Sequence, residues 1–361
     1  MRWFFLLSAC FYLLSPSSSE AAYLFKNGKL IKSEEVATFS VQEHYGLAMQ
    51  AYQDKNWDEL VHQSLIIIKN FETTPFAIEA YYYLGSAYFH MEEYEYSNRF
   101  LTKYLKKQIT PKFFEEAITY KFRIAEQYRL GERKHLFGID TFPKWLPAAQ
   151  DAIVIYDEVI TALPHHDLAA SALFGKAYLQ LKDQEYKSSI ETYQMLIRRF
   201  PKHPLARESY IGIGDVYLIQ AQESYPDQDF LDLAELNVRK FRADFPSDDK
   251  VQIAEDTLAK MKEVYASDLY DIARFYERTK KPHAARIYYN RIQAKYPQTK
   301  TCELAAKRLA RLPSISQEVE IVPSQKGSSP THKEEHDESP LLKLKPQGWT
   351  VEAERETLEN Q

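Results

Sequence analysis

The sequence is poor in cysteine. Of its 361 residues only Cys10 and Cys302 are cysteines, and Cys10 falls in an N-terminal leader, so no internal disulfide framework can form in the mature chain. No CxxC pair and no Cys/His cluster of metal-ligand spacing occurs, so no metal is expected. Glycine is limited to 10 residues, which disfavours a strand-and-turn protein. Charge of one sign is lacking too: 46 basic and 51 acidic side chains nearly cancel, and no broad basic field would draw the chain onto nucleic acid. There is no Gly-rich phosphate loop, no HExxH and no Gly-x-Ser-x-Gly elbow, so neither catalysis, a cofactor nor a small-molecule substrate is expected. What the chain has in quantity is aromatic: rings make up 14% of it and tyrosine alone supplies 26 residues, which suits tightly packed helix pairs.

The two ends differ from the middle. Arg2 followed by the apolar residues 3–14 and the small polar residues 15–19 reads as an export signal, and the apolar stretch is too short to span a membrane. Two processing readings stay open: Ser19 and Ala21 fit ordinary cleavage with a mature start near Ala22, while Leu7-Ser8-Ala9-Cys10 looks like a lipobox that would make Cys10 an acylated lipid anchor. Residues 22–40 form an extension in which Asn27-Gly28 predicts a tight turn joining two short strands. Residues 313–361 turn to Pro, Ser, Glu and Lys with few aromatics, the composition of a disordered tail.

Between these ends, residues 41–312 carry a recurring helix-turn-helix pattern of roughly 34 residues, the tetratricopeptide unit: an aromatic, Leu-Gly and Tyr in the first helix, then Ala, an aromatic and Pro in the second. Small residues at fixed positions let the two helices approach, and proline stops the second helix before the next unit. The pattern is fullest at Tyr81, Leu84, Gly85, Tyr88, Tyr94, Ser97 and Leu101. Tyr45, Ala48, Tyr52, Trp57 and Leu65 precede it in a weaker first unit. A stretched third unit pairs Ile124, Ala125 and Tyr128 with Ala152, Tyr156 and Pro164 across an insertion at 130–146, read as a protruding loop. Gly175, Tyr178, Tyr186, Ser189, Tyr193 and Pro201 make a fourth, with about two extra residues in its turn. Tyr210, Gly214, Tyr217, Ala234, Val238, Phe241 and Pro246 make a fifth, and Leu269, Ile272, Ala273, Tyr276, Ala285, Tyr289 and Pro297 the last. A separate helix is expected at 251–264, and Cys302 as a half-buried residue of a C-terminal helix. The fold class is therefore all-α, a tetratricopeptide superhelix of about six helix pairs.

In such arrays the first helix of each pair lines a concave surface, so its non-signature positions are the candidates for binding. In the second unit these are Tyr82, Tyr83, Phe89 and His90, and in the third Phe122, Arg123, Glu126 and Arg129. Rings beside arginines suit a peptide groove, since rings hold apolar groups and Arg captures carboxylate; the alternative is that Tyr82 or Phe89 packs against the adjacent unit. On the last unit Tyr270, Asp271, Arg274, Glu277 and Arg278 make a charged face that reads either as a partner-docking surface or as a solvated helix side. His165-His166-Asp167 directly follows Pro164, where such residues cap the next helix.

The chain resembles the BamD family, the tetratricopeptide lipoprotein component of the bacterial outer-membrane β-barrel assembly machinery. The resemblance runs from about Glu43 to Leu309 and rests on residues 48–52, 81–88, 151–164 and above all 267–276, 283–289 and Tyr296-Pro297. It implies a periplasmic, lipid-anchored scaffold at the outer membrane, which binds unfolded barrel precursors through the N-terminal groove. It also implies docking of the C-terminal repeats onto the barrel-containing core subunit. Another periplasmic adaptor, coordinating cell-envelope or division proteins, is the competing reading.

Overall fold

The computed structural model describes residues 23–26, 29–32, 36–107, 109–138, 142–223 and 227–313. The export leader with Cys10, the Asn27-Gly28 turn and the segment beyond Pro313 lie outside the described residues. Strands β1 (Tyr23–Lys26) and β2 (Lys29–Lys32) pair antiparallel, Lys26 opposite Lys29. After them come helices α1 (Val41–Gln53), α2 (Trp57–Asn70), α3 (Pro75–His90), α4 (Tyr94–Lys107) and α5 (Phe114–Leu130). An insertion follows, with strands β3 (Arg133–His135) and β4 (Lys144–Pro147). The array resumes with α6 (Ala149–Ala162), α7 (Asp167–Lys182), α8 (Tyr186–Arg199), α9 (Pro204–Glu223) and α10 (Gln228–Asp244). It ends with α11 (Lys250–Arg278), α12 (Pro282–Lys295) and α13 (Lys300–Leu309). Among the described residues no helix is long and apolar enough to cross a membrane.

Local chemistry starts these helices where they start. Ser40 and Glu43 form a reciprocal capping box at α1, Asn56 caps α2, and Thr74 caps α3 ahead of Pro75, whose missing N–H costs nothing at that position. His166 caps α7, its Nδ1 accepting the Leu168 N–H at 3.0 Å. The turn inside a pair is equally uniform. Lys55, Glu92, Gln184 and Lys280 each take a left-handed backbone conformation in the connections α1–α2, α3–α4, α7–α8 and α11–α12.

Packing within and between pairs corrects the phase of the fourth unit. Ser97 Oγ donates to the carbonyl of Gly85 at 2.6 Å, and Ser189 Oγ donates in the same way to the carbonyl of Ala177 at 2.8 Å. Ala177, not Gly175, is therefore the counterpart of Gly85, and the α7–α8 turn has the same length as α3–α4, with no extra residues. Gly175 serves another purpose. A Cβ there would lie 2.6 Å from the Tyr156 hydroxyl of the preceding unit, and one at Gly212 would lie 2.7 Å from Cζ of Tyr193. At two successive joints, α6 to α7 and α8 to α9, a tyrosine of the second helix thus seats against a glycine of the next first helix. Gly214, named from the sequence as the fifth unit's small residue, has only Thr257 near, at 3.7 Å.

Two further expectations change. The helix at 251–264 and the first helix of the last unit are one continuous 29-residue helix, α11, whose buried Val251, Ala254, Met261, Tyr265 and Ala273 face neighbours along its whole length. No proline or glycine between 250 and 278 interrupts it. The insertion is not a protruding loop but a hairpin folded back onto the α3–α4 turn. His135, 7% exposed, points Nδ1 at the Phe142 carbonyl oxygen (2.5 Å) and Nε2 at Glu93 Oε2 (2.8 Å). Lys144 Nζ reaches Glu93 Oε1 at 3.1 Å and donates to the Glu92 carbonyl at 2.8 Å. Both ring nitrogens face acceptors, an arrangement that favours the protonated ring, which donates from both.

Candidate protein-binding surfaces

The first helices of the first three pairs converge on a cavity of about 530 Å³ lined by Tyr52 of α1, Tyr82 of α3, and Glu115, Glu116, Thr119, Tyr120 and Arg123 of α5. Helical spacing puts residues 116, 119, 120 and 123 on one face of α5. Tyr120 is fixed by a hydrogen bond from Ser86 Oγ at 2.9 Å and by contact with the Phe89 ring, 5.1 Å between centroids. The Arg123 guanidinium lies 6.0 Å from the centre of the Tyr120 ring. His90 stacks on Trp57 at 4.3 Å, nearly parallel, and its imidazole is held below its ordinary pKa by desolvation and then by the Arg123 and Lys55 charges. The cavity therefore has ring walls, a cationic end and two carboxylates.

Several residues singled out from the sequence sit elsewhere. Tyr83 is 4% exposed and packs edge-on against Tyr45, Tyr52 and Phe113; it is core and does not line a groove. Tyr82, 5% exposed, stacks on Phe113 at 4.5 Å and offers the cavity only an edge. Burial pushes its hydroxyl pKa up. Phe89 is half-buried behind Tyr120. Phe122 and Arg129 belong to the next junction: Phe122 lies against Tyr156 at 6.1 Å, and Arg129 is bound to Glu126 at 2.6 Å with its guanidinium 5.8 Å from the Tyr178 ring centre. Glu126 also accepts from the Tyr156 hydroxyl. Arg123 and Tyr82 are thus the predicted residues that line the cavity, with His90 beside Tyr120 just outside it. Tyr120 and Thr119 went unnoticed, and Glu115 and Glu116 read from sequence only as solvated acids at a helix start, although helical spacing from Arg123 was the available signal.

The last unit is less open than its charge pattern suggests. Glu277 accepts from the Tyr289 hydroxyl at 2.9 Å and faces Arg308 at 3.3 Å and Arg274 at 3.8 Å, which ties α11 to α12 and α13. Glu277 is therefore a structural tie, not a docking residue. Tyr270 lies against Tyr289, 5.6 Å between rings. Asp271 and Arg278 are exposed beside Phe275, 53% exposed, an apolar residue absent from the sequence prediction. Cys302 is half-buried in α13. Among the described residues no group of His, Cys, Asp or Glu could hold a metal ion, and the second histidine of His165-His166 is spent on its cap and a 3.3 Å contact with Glu115.

With this geometry in view, residues 148–323 match the family model of YfiO, described as an outer membrane lipoprotein. No curated protein matches the chain. Similar solved structures include a tetratricopeptide repeat protein from Parabacteroides merdae (11% identity, 75% of this chain and 97% of that one, TM-score 0.34). PilW, a type IV pilus biogenesis factor, is another (11% identity, 75% and 100%, TM-score 0.28). At such scores nothing about this chain's function follows from them. The cavity at α1, α3 and α5 lies outside the matched stretch, whereas every helix from α6 to α13 lies inside it. The chain is a tetratricopeptide-type helix array whose residues 148–323 match the model of the YfiO (BamD) family, described as an outer membrane lipoprotein.

Proposed function

We propose that the chain is a non-enzymatic scaffold of outer-membrane β-barrel assembly, exported and held at the periplasmic face of the outer membrane. It captures extended precursor segments with an aromatic residue and a free carboxylate in the cavity at α1, α3 and α5. The observation that carries this reading is Arg123 beside the exposed edges of Tyr52 and Tyr120, with Lys55 adding positive charge near by. An arginine can clamp a carboxylate in a bidentate pair while the rings hold an aromatic side chain. Glu115 and Glu116 on the rim disfavour acidic residues upstream of that end. Asp271, Phe275 and Arg278 of the last unit form the face that docks the core subunit of the machinery, within the stretch that matches the family.

The test is titration of the full chain with a short peptide ending in phenylalanine, in free-acid and amidated forms. Arg123→Glu and amidation are each expected to weaken binding about tenfold or more, the range for losing a charge-assisted pair. Unchanged affinity of a folded Arg123→Glu variant for the free-acid peptide, or equal affinity of the wild type for both peptides, rejects the cavity assignment. Loss of the core subunit from pull-downs by Phe275→Asp tests the second surface independently.

A further inference from the structure

Helix α4 carries a row of cations that the precursor-binding reading does not use. Arg99, Lys103 and Lys107 recur every fourth residue, so they rise along one side of the helix about 6 Å apart. Each sits on a ring: Arg99 over Tyr96 at 4.5 Å, Lys103 over Phe100 at 5.4 Å, and Lys107 over Tyr81 at 5.3 Å. The rings form a ladder, with Tyr88 stacked on Phe100 at 5.5 Å and on Tyr96 at 5.4 Å. All three cations and Lys106 are exposed, and among the described residues none of the four makes an ion pair. The one acid of α4, Glu95, has Oε2 buried. Just past the helix stands Ile109, 102% exposed, with Lys106 and Lys107 before it and Lys112 after it.

An uncompensated row of this kind is unusual on a chain whose net charge is −5. The rings beneath hold the cationic stems in place and present their heads outward, which lowers the entropy lost when an anion is met. The row stands on the open surface of one helix and not in a cleft. A cleft would suit a single acidic peptide, whereas a row with a bare isoleucine at its end suits a broad anionic plane with an apolar layer under it.

We propose that the outer side of α4 is a membrane-contact surface for anionic lipid headgroups, with Arg99, Lys103 and Lys107 on the phosphates and Ile109 entering the acyl boundary. The contact is electrostatic at its core, so it weakens with salt. Lying on α4, it would set the orientation of the array against a bilayer independently of any N-terminal anchor.

The experiment is co-sedimentation of the full, unacylated chain with phosphatidylcholine vesicles and with vesicles in which one lipid in three is phosphatidylglycerol. The leader is present in every variant, so differences between variants read the α4 surface alone. The wild type is expected to partition at least tenfold more strongly onto the anionic vesicles, and the difference is expected to vanish at high salt. Each cation near an anionic leaflet contributes about fivefold, so Arg99→Glu/Lys103→Glu/Lys107→Glu is expected to lose about a hundredfold. Ile109→Asp is expected to lose roughly threefold, less than one full cation contributes. The three reversed positions are exposed, and an unchanged thermal midpoint checks the fold. Equal partition onto both vesicle types, or unchanged partition of the triple variant, overturns the proposal. So does binding to polyglutamate that the triple variant loses while its vesicle binding stays intact, because that outcome assigns the row to an acidic protein. Peptide titration at the Arg123 cavity is expected to be unchanged in these variants, which keeps failure here distinct from failure of the precursor-binding reading.

Discussion

The first two pairs and the later pairs solve the same packing problem with different chemistry. In α1 to α4 rings meet rings: Tyr82 on Phe113, Trp57 on His90, Tyr88 on Phe100. Glycine there works inside a pair, Gly85 admitting Leu101. From α6 onward a tyrosine of one pair enters the space left by a glycine of the next, at Tyr156–Gly175 and Tyr193–Gly212. Ring-on-ring packing borders the cavity at Tyr52 and Tyr120, whereas ring-on-glycine seating brings the helices of successive pairs into direct contact at those two joints. The two halves thus differ in how their helices seat, and the family match lies in the second of them.

That comparison can be broken at its strongest joint first. Tyr82→Ala is expected to destabilise the chain by about 3–5 kcal/mol, the usual cost of deleting a buried aromatic, with the loss read as a lower denaturation midpoint. A loss under about 1 kcal/mol would mean that the first half does not depend on stacked rings. Next in size, Gly175→Ala and Gly212→Ala are expected to cost about 1–3 kcal/mol each through overpacking against Tyr156 and Tyr193. Pairing Gly212→Ala with Tyr193→Phe tests the same joint, and tight seating predicts non-additive losses. The smallest effect has the opposite sign. Gly46→Ala in α1, with nothing within 4 Å of a new Cβ, is expected to stabilise by about 0.5–1 kcal/mol because it restricts the unfolded chain.

The insertion between the halves should respond to pH. The Phe142 carbonyl, and after it the Glu93 carboxylate, hold the His135 pKa above its ordinary value, against the opposing effects of burial and of Lys144. A raised histidine pKa stabilises fully below the unfolded value near 6.5 and is lost as pH rises through the folded value. Amide protection across 133–147, corrected for intrinsic exchange, is therefore expected to be highest at about pH 5–6 and to fall at alkaline pH. Protection that does not change with pH, or a His135→Phe variant that keeps the same profile, would remove the imidazolium clamp.

Much of this was legible in advance, because the tetratricopeptide pattern records contacts between residues close in sequence. Gly85 and Leu101, the proline stops and the cap at His166 all follow from local spacing. The cavity was half legible: Arg123 and Tyr82 were found, but Tyr83 was placed in a groove when it lies in the core. Position on a first helix says which way a side chain leaves its own pair, but the next pair decides whether it is covered. Phe113, which buries Tyr82, sits in the connection before α5, where the repeat pattern assigns nothing. The phase error at Gly175 has the same origin, since a glycine that admits a neighbour's tyrosine looks in one dimension like a glycine that admits its own second helix.

Sequence by itself determined the class of the fold, the positions of most helices and the resemblance of the last repeats to the matched family. These depend on short-range periodicity, capping and composition, which act within one or two turns of a helix. Only the tertiary structure decided which rings are walls and which are core, that Glu277 is a tie between three helices, that 250–278 is one helix, and that the insertion is clamped to the α3–α4 turn through His135. Those outcomes turn on contacts between residues 30 or more positions apart, such as Glu277 with Arg308 and Glu93 with His135, where no local rule reaches.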